Sequence, residues 1–150
     1  MMDIKLTKED VLENPKRKSI FEFINKNPGT YYFQIVKELD MGSHLVVWHV
    51  DILLEFNFIN MIEEDNHELY FNPQIKPEMA RIIYYMTNDK SKKILDYLKA
   101  NNTGITKTEI SKNLEMHPST VKKYITILKK HQLVQSIKDQ NKILYFSEDF

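Results

Sequence analysis

Residues 114–134 read LEMHPSTVKKYITILKKHQLV, and residues 39–59 read LDMGSHLVVWHVDILLEFNFI. At an offset of 75 places the two stretches superimpose: Leu39 on Leu114, Met41 on Met116, Val46 on Val121, Leu53 on Leu128 and Ile59 on Val134. The match extends outward to Leu69-Tyr70-Phe71 over Leu144-Tyr145-Phe146. With one extra residue near Gly104, it also reaches back to Ile20 over Ile94 and Phe23 over Tyr97. A repeat of this length means two copies of one small domain, so the fold is decided once and used twice.

The second copy has the clearer signals. Ile94, Leu95, Tyr97 and Leu98 are apolar at helical spacing, which predicts a first helix from about Lys90 to Asn101. Thr106-x-x-Glu109 has capping-box spacing, so a second helix starts there and runs to about Asn113. Pro118 suits the first turn of a third helix reaching about His131, because its missing N–H is not needed there. Val121, Tyr124, Ile125 and Leu128 fall at i, i+3, i+4 and i+7 and form that helix's buried stripe. Leu133–Lys138 and Lys142–Ser147 flank Asp139-Gln140-Asn141 and read as a β-hairpin.

The first copy repeats the plan, with helices over Pro15–Lys26, Tyr31–Leu39 and Ser43–Phe56. A hairpin follows, Phe58–Glu64 and Glu68–Asn72 around Asp65-Asn66-His67. All three glycines (Gly29, Gly42, Gly104) fall in expected turns, and all five prolines fall at element boundaries. Two pieces lie outside the repeat. Thr7-x-x-Asp10 is placed to cap a short leading helix, and Pro77 to about Thr87 reads as a connecting helix with Met79, Ile82, Ile83 and Met86 on one stripe. The expected organisation is an N-terminal domain over 1–74, a connecting helix over 75–89 and a C-terminal domain over 90–150.

Composition bounds the function. Half of a 150-residue chain is near the lower limit for an independent core. The absence of cysteine excludes disulfides and thiolate zinc sites. No apolar run approaches membrane-spanning length and no signal peptide opens the chain, so the expected location is the cytoplasm, without a membrane partner. The net charge of zero conceals a split. Residues 1–75 carry 7 Lys+Arg against 13 Asp+Glu, a balance of −6, while residues 76–150 carry 14 against 8, a balance of +6. Such asymmetry points to an anionic partner for one half and a different partner for the other.

Three helices followed by a two-stranded hairpin is the winged helix-turn-helix plan, in which a third helix fits the major groove of DNA and the hairpin lies along the backbone or adjacent minor groove. Leu12-Glu13-Asn14-Pro15-Lys16-Arg17-Lys18 with Asn27-Pro28-Gly29-Thr30 resembles the opening of archaeal winged-helix transcriptional regulators. His117-Pro118-Ser119-Thr120-Val121 followed by Leu128-Lys129-Lys130-His131-Gln132-Leu133-Val134 resembles their recognition-helix stretch. The resemblance covers nearly the whole chain as two tandem domains. It implies that Ser119, Thr120, Lys122, Lys123 and Thr126 face the groove, and these positions also lie off the buried stripe. Four lysines and no acid lie between His117 and His131, and Lys138 and Lys142 add charge to the hairpin. Lysine beside phosphate releases counterions and supplies affinity without sequence information. Thr106, Lys107, His117, Lys129 and Lys130 complete the candidate DNA-binding set. The plainer reading of the same lysines is a solvated surface helix. One departure bears on specificity: the chain has two arginines, Arg17 and Arg81, and neither lies in a third helix. Bidentate arginine–guanine contacts are therefore absent there, and A·T-rich or shape-based recognition is expected.

The first copy breaks the charge pattern. Val47 and Trp48 occupy the positions of Lys122 and Lys123, the third helix carries Asp51 and Glu55 and no lysine or arginine, and the hairpin reads Glu63-Glu64-Asp65-Asn66-His67-Glu68. Leu45, Val47 and Trp48, with Met79 and Ile83 of the connecting helix, are the candidate protein interface; cover of Trp48 within its own chain is the competing account. His44, His49, His67, His117 and His131 have no HExxH motif or thiolate partner, so no metal is expected, and His49, opposite Tyr124, is read as core. Tyr31-Tyr32-Phe33 and Tyr84-Tyr85 could line a ligand pocket, but aromatic residues at helical spacing are read as core. No phosphate loop, nucleophile elbow or paired-carboxylate cleft appears, so neither an enzyme nor a cofactor is expected. The expectation is a tandem winged-helix transcription regulator, mainly α with small β-hairpin wings, binding double-stranded DNA as a homodimer. The alternative is a tandem winged-helix scaffold for protein assembly.

Overall fold

The computed structural model describes residues 6–148; the expected domain ends at 1–5 and 149–150 lie outside the described residues. The chain divides into two compact units, residues 1–84 and 85–150. In the first, a 3-10 turn (Lys8–Glu13) precedes α1 (Pro15–Lys26), β1 (Thr30–Tyr31), α2 (Tyr32–Leu39), α3 (Ser43–Glu55), β2 (Asn60–Glu64) and β3 (His67–Phe71). The division falls inside α4 (Pro77–Thr87), and the second unit continues through α5 (Asp89–Ala100), α6 (Lys107–Leu114), α7 (Pro118–Lys130), β4 (Val134–Asp139) and β5 (Lys142–Ser147). Both units are winged helix-turn-helix folds in tandem.

The repeat is visible in the backbone itself. Left-handed residues recur at the 75-residue offset: Gly29 and Gly104, Asp40 and Glu115, Asn57 and Gln132, Asp65 and Gln140. These are the turns before the second helix, between the second and third helices, after the third helix, and at the wing tip. Gly29 must be glycine for space as well as for φ, since a Cβ there would lie 2.7 Å from the Ala80 carbonyl oxygen. The core repeats too. Ile20, Ile24, Ile35, Val46, Val50, Leu53, Ile59 and Tyr70 are buried in the first unit, as are Ile94, Leu98, Ile110, Val121, Ile125, Leu128, Val134 and Tyr145 in the second.

Each unit ties the residue before its second helix to the wing. In the first, β1, β3 and β2 form an antiparallel sheet in that order, with Thr30 opposite Tyr70. In the second this shrinks to one antiparallel bridge, where Ile105 and Tyr145 exchange N–H···O bonds of 3.1 and 2.8 Å. Both hairpins have two-residue turns rather than the expected three. His67 pairs with Glu64, and Lys142 pairs with Asp139. The left-handed pair Asp65-Asn66 supplies a type I′ geometry that matches strand twist, so no third loop residue is needed.

The leading turn is 3-10 rather than α, and the Asp10 carboxylate accepts from the Thr7 hydroxyl at 2.6 Å. The face that α4 buries is also offset from the expected stripe. Ala80 and Tyr84 are buried, because Gly29 approaches α4 closely and the Tyr84 hydroxyl donates to Asp65 at 2.6 Å. Met79 is exposed, and Ile82, Ile83 and Met86 are half-buried.

One polar cluster lies in the first core. His49 (1% exposed) accepts at Nδ1 from Arg17 Nε at 3.2 Å, and Arg17 Nη1 donates to the Val11 carbonyl at 2.9 Å. The guanidinium also lies 5.2 Å from the Trp48 ring centroid. Burial, then the charges of Arg17 and Lys16, hold the His49 pKa below its ordinary value. The folded state therefore keeps the imidazole neutral at pH values where the unfolded chain already binds a proton. Stability is full above the ordinary histidine pKa of about 6.5 and declines as pH falls below it. Urea unfolding followed by Trp48 fluorescence is expected to show a falling midpoint between about pH 7.5 and 5. His49→Gln, which keeps an acceptor for Arg17 without titrating, should flatten that decline; an equal decline in both proteins would exclude His49 as its source.

Candidate nucleic-acid interface

Helix α7 begins with its own cap. Pro118 occupies the first turn, and His117 Nδ1 accepts from the Ser119 amide at 3.1 Å while lying 2.7 Å from Ser119 Oγ. Helix α6 is capped by Thr106, whose hydroxyl accepts from the Glu109 amide at 3.2 Å. The Glu109 carboxylate turns back to that hydroxyl rather than to the Thr106 amide, so the capping box closes through the side chain. These caps fix where both helices start, and hence which α7 residues face outward.

Val121, Tyr124, Ile125 and Leu128 seat α7 in the core, leaving Ser119, Lys122, Lys123, Thr126, Lys129 and Lys130 exposed on the opposite face. Thr120 and Lys107 are half-buried, and Lys138 and Lys142 are exposed on the wing. Two adjoining clefts run along this side of the unit. One is lined by Thr106, Lys107, Thr108, Glu109, Asn141, Lys142, Ile143 and Tyr145, the other by Lys107, Ile125, Thr126, Lys129, Lys130 and Tyr145, so Glu109 is the one carboxylate among them. Lys107 and the Tyr145 ring border both, with Lys107 Nζ 5.6 Å from the ring centroid. Of the expected residues, Thr106, Lys107, Thr126, Lys129, Lys130 and Lys142 are thus brought together around these clefts. Two refinements follow from the geometry. The Thr126 hydroxyl donates to the Lys122 carbonyl at 2.8 Å, so toward an external group it is an acceptor. Lys123 Nζ lies 5.0 Å from the Tyr124 ring centroid. Tyr145, Thr108 and Asn141 escaped the sequence reading; the signal for Tyr145 was its place opposite buried Tyr70 in the repeat.

The same place in the first unit is built differently. A cleft of about 310 Å³ is lined by Tyr31, Tyr32, Phe33, Val47, Val50, Asp51, Asn66, His67, Glu68 and Tyr70. At the 75-residue offset Tyr32 stands for Lys107, Phe33 for Thr108, Val47 for Lys122, Asp51 for Thr126 and His67 for Lys142. None of the lysines in the second unit's clefts is kept in the first: Tyr32, Leu54, Glu55 and His67 stand for Lys107, Lys129, Lys130 and Lys142. Phe33, read from sequence as core, is 69% exposed, because its position in the first turn of α2 points away from the helix packing. Val47 and Trp48 (54% exposed) are also outward, so within the described residues the chain leaves Trp48 half open; Leu45 is half-buried. His44 is exposed, and no cluster of metal-ligating side chains occurs among the described residues. No helix among them is long and apolar enough to cross a membrane.

Two winged helix-turn-helix units in tandem, one of them lysine-faced, place the chain among tandem winged-helix proteins. A family model described as the RNA polymerase Rpc34 subunit matches residues 6–145, and the chain belongs to that family. An uncharacterized HTH-type transcriptional regulator of Methanocaldococcus jannaschii is 28% identical over 141 residues, covering 94% of this chain and 35% of that protein. The chain therefore spans about a third of the length of this curated relative. Among solved structures, a predicted DNA-binding transcriptional regulator from E. coli matches 53% of this chain and 81% of its own at 18% identity and a TM-score of 0.41. The transcriptional regulator SlyA matches 83% and 82% at 16% identity and a TM-score of 0.39.

The His117 cap gives a direct test. His117→Ala should destabilise the second unit by about 1 kcal/mol in urea unfolding, and His117→Asn, which restores a cap acceptor, should recover most of it. Equal losses in the two variants would mean that the imidazole acts through packing instead.

Proposed function

We propose that the chain is a sequence-specific regulator of transcription that binds double-stranded DNA through its C-terminal winged-helix domain, residues 90–150. In this reading α7 enters the major groove. Ser119, Thr120, Lys122, Lys123 and Thr126 face base edges and phosphates, Lys129 and Lys130 lie at the helix end, and Thr106, Lys107, His117, Lys138 and Lys142 contact the backbone on either side. The observation that carries the reading is the exposed face of α7, which bears lysine and hydroxyl side chains and no carboxylate, beside clefts lined by Lys107 and Lys142. The description of the Methanocaldococcus jannaschii relative as an HTH-type transcriptional regulator supports it.

The face lacks arginine, so discrimination of bases rests on lysine, serine and threonine. A·T-rich or deformable sites are the matching targets. The N-terminal domain, residues 1–74, serves protein contact through Leu45, Val47 and Trp48, with Met79 and Ile83 beside them. In a homodimer two copies of α7 would meet successive major-groove turns of a palindrome. A second reading, a tandem winged-helix scaffold in a multiprotein assembly, is favoured by one observation: the aromatic, lysine-free cleft of the first unit, which carries Asp51 and Glu68, in a family described as a polymerase subunit.

Fluorescence anisotropy with a mixed-sequence duplex over a salt series separates the two. The wild type should bind with a steep salt dependence, and Lys122→Glu/Lys123→Glu should lose at least about 2 kcal/mol while keeping its unfolding midpoint. Equal affinity of the folded variant and the wild type would remove α7 from the interface and leave the scaffold reading.

A further inference from the structure

The cleft of the first unit has a chemistry of its own. Its walls are the rings of Tyr31, Tyr32, Phe33 and Tyr70, and its charged groups are the carboxylates of Asp51 and Glu68. Tyr31 is stacked on His67 with centroids 4.2 Å apart, and Tyr32 meets Phe33 edge to face at 5.6 Å, so the rings brace one another. The Tyr70 hydroxyl donates to Glu68 at 2.9 Å. Burial and that carboxylate push the Tyr70 pKa up, which keeps the phenol neutral. Asp51 makes no hydrogen bond or ion pair among the described residues. Aromatic faces beside carboxylates attract cations, through the ring quadrupole and the formal charge together.

We infer that this cleft receives a lysine or arginine side chain from an extended segment of a partner protein. Charge complementarity selects the occupant. The adjoining wing surface is lined by Glu63, Glu64, Asp65 and Glu68, and the first half of the chain carries a net −6, so the approach as well as the cleft favours a basic segment. The form of the site selects a peptide over a small molecule: the cleft is open and continues into the exposed apolar side chains of Phe33, Val47 and Trp48, which would flank a bound chain. A second copy of this chain fits less well. Pairing the same cleft of two copies across a twofold axis would set one acidic surface against another. The matching clefts of the second unit, bearing Lys107 and Lys142, repel the same ligand and serve as an internal control. The inference concerns the first unit and stands apart from the DNA-binding reading.

The test is an amide chemical-shift titration of the full chain with capped tetralysine and tetra-arginine peptides, and tetraglutamate as control, at about 50 mM salt. Binding of the basic peptides should move resonances of Tyr31 to Phe33, Asp51 and Glu68 to Tyr70 and leave those of Lys107 and Lys142 in place. Phe33→Ala and Asp51→Asn should each weaken binding at least about fivefold, while Glu63→Gln on the wing should change it less than about twofold. Three results would overturn the inference. One is no shift at saturating peptide. Another is shifts spread over all acidic surface with Phe33→Ala and Asp51→Asn binding like wild type. The third is concentration-dependent shifts of the same cleft residues in the absence of peptide, which would make a second copy the occupant.

Discussion

Both units depend on how the third helix is seated. Val46, His49, Val50 and Leu53 in α3, and Val121, Tyr124, Ile125 and Leu128 in α7, occupy the same four positions of the helical turn and are buried in both. Burying that stripe removes enough apolar surface to fix each helix's rotation, at roughly 1.5–3 kcal/mol for each large side chain. Once rotation is fixed, the identity of the outward residues follows from the sequence alone. Caps at Gly42 and His117 fix where the helices begin, and left-handed residues at Asn57 and Gln132 turn the chain from each helix toward its wing. The fold thus presents one outward face twice, with different side chains on the two copies.

That difference is a matter of side chains on a conserved frame. In the second unit the outward positions hold lysines, whose charge acts on phosphate at long range and whose flexible stems tolerate imperfect register. In the first unit the equivalent positions hold Val47, Trp48, Asp51 and Glu55 on α3, with Tyr32 and Phe33 on α2. Phosphate would be repelled there, whereas desolvated aromatic contact becomes favourable. Even the shared core carries an asymmetry. His49 replaces Tyr124 and takes its hydrogen bond from Arg17, which in turn lies against Trp48. An apolar outward surface and a polar buried pair are therefore linked through one guanidinium.

Most of the frame was legible in the sequence because it is written twice. Apolar spacing, caps and proline placement located the seven α-helices of the described residues, and Gly29 and Gly104 marked two of the turns with positive φ. The misses have local causes. The hairpin turns lost one residue each: the left-handed pair Asp65-Asn66 closes the first loop, and Gln140, left-handed, with Asn141 closes the second. The buried side of α4 was misplaced because Ala80, a small residue, faces Gly29, and close backbone approach leaves no signature in hydrophobic periodicity. Phe33 was read as core because an aromatic residue at a helix start carries no sign of which way it points. On α7 the outward lysines were legible, since the stripe defines them by exclusion. The cleft of the first unit was not, because its lining is gathered from β1, α2, α3 and the wing, and only the fold brings those segments together.

The most direct test of the division of labour is an amide chemical-shift map of the full chain with a mixed-sequence duplex of about 16 base pairs, read at about 100 mM salt. If the account holds, the perturbed residues are those of α7, the start of α6 and the β4–β5 wing, while α3 and the β2–β3 wing stay silent. Perturbation of α3 equal to that of α7 would contradict it, because the acidic and lysine-bearing faces would then be binding the same polyanion.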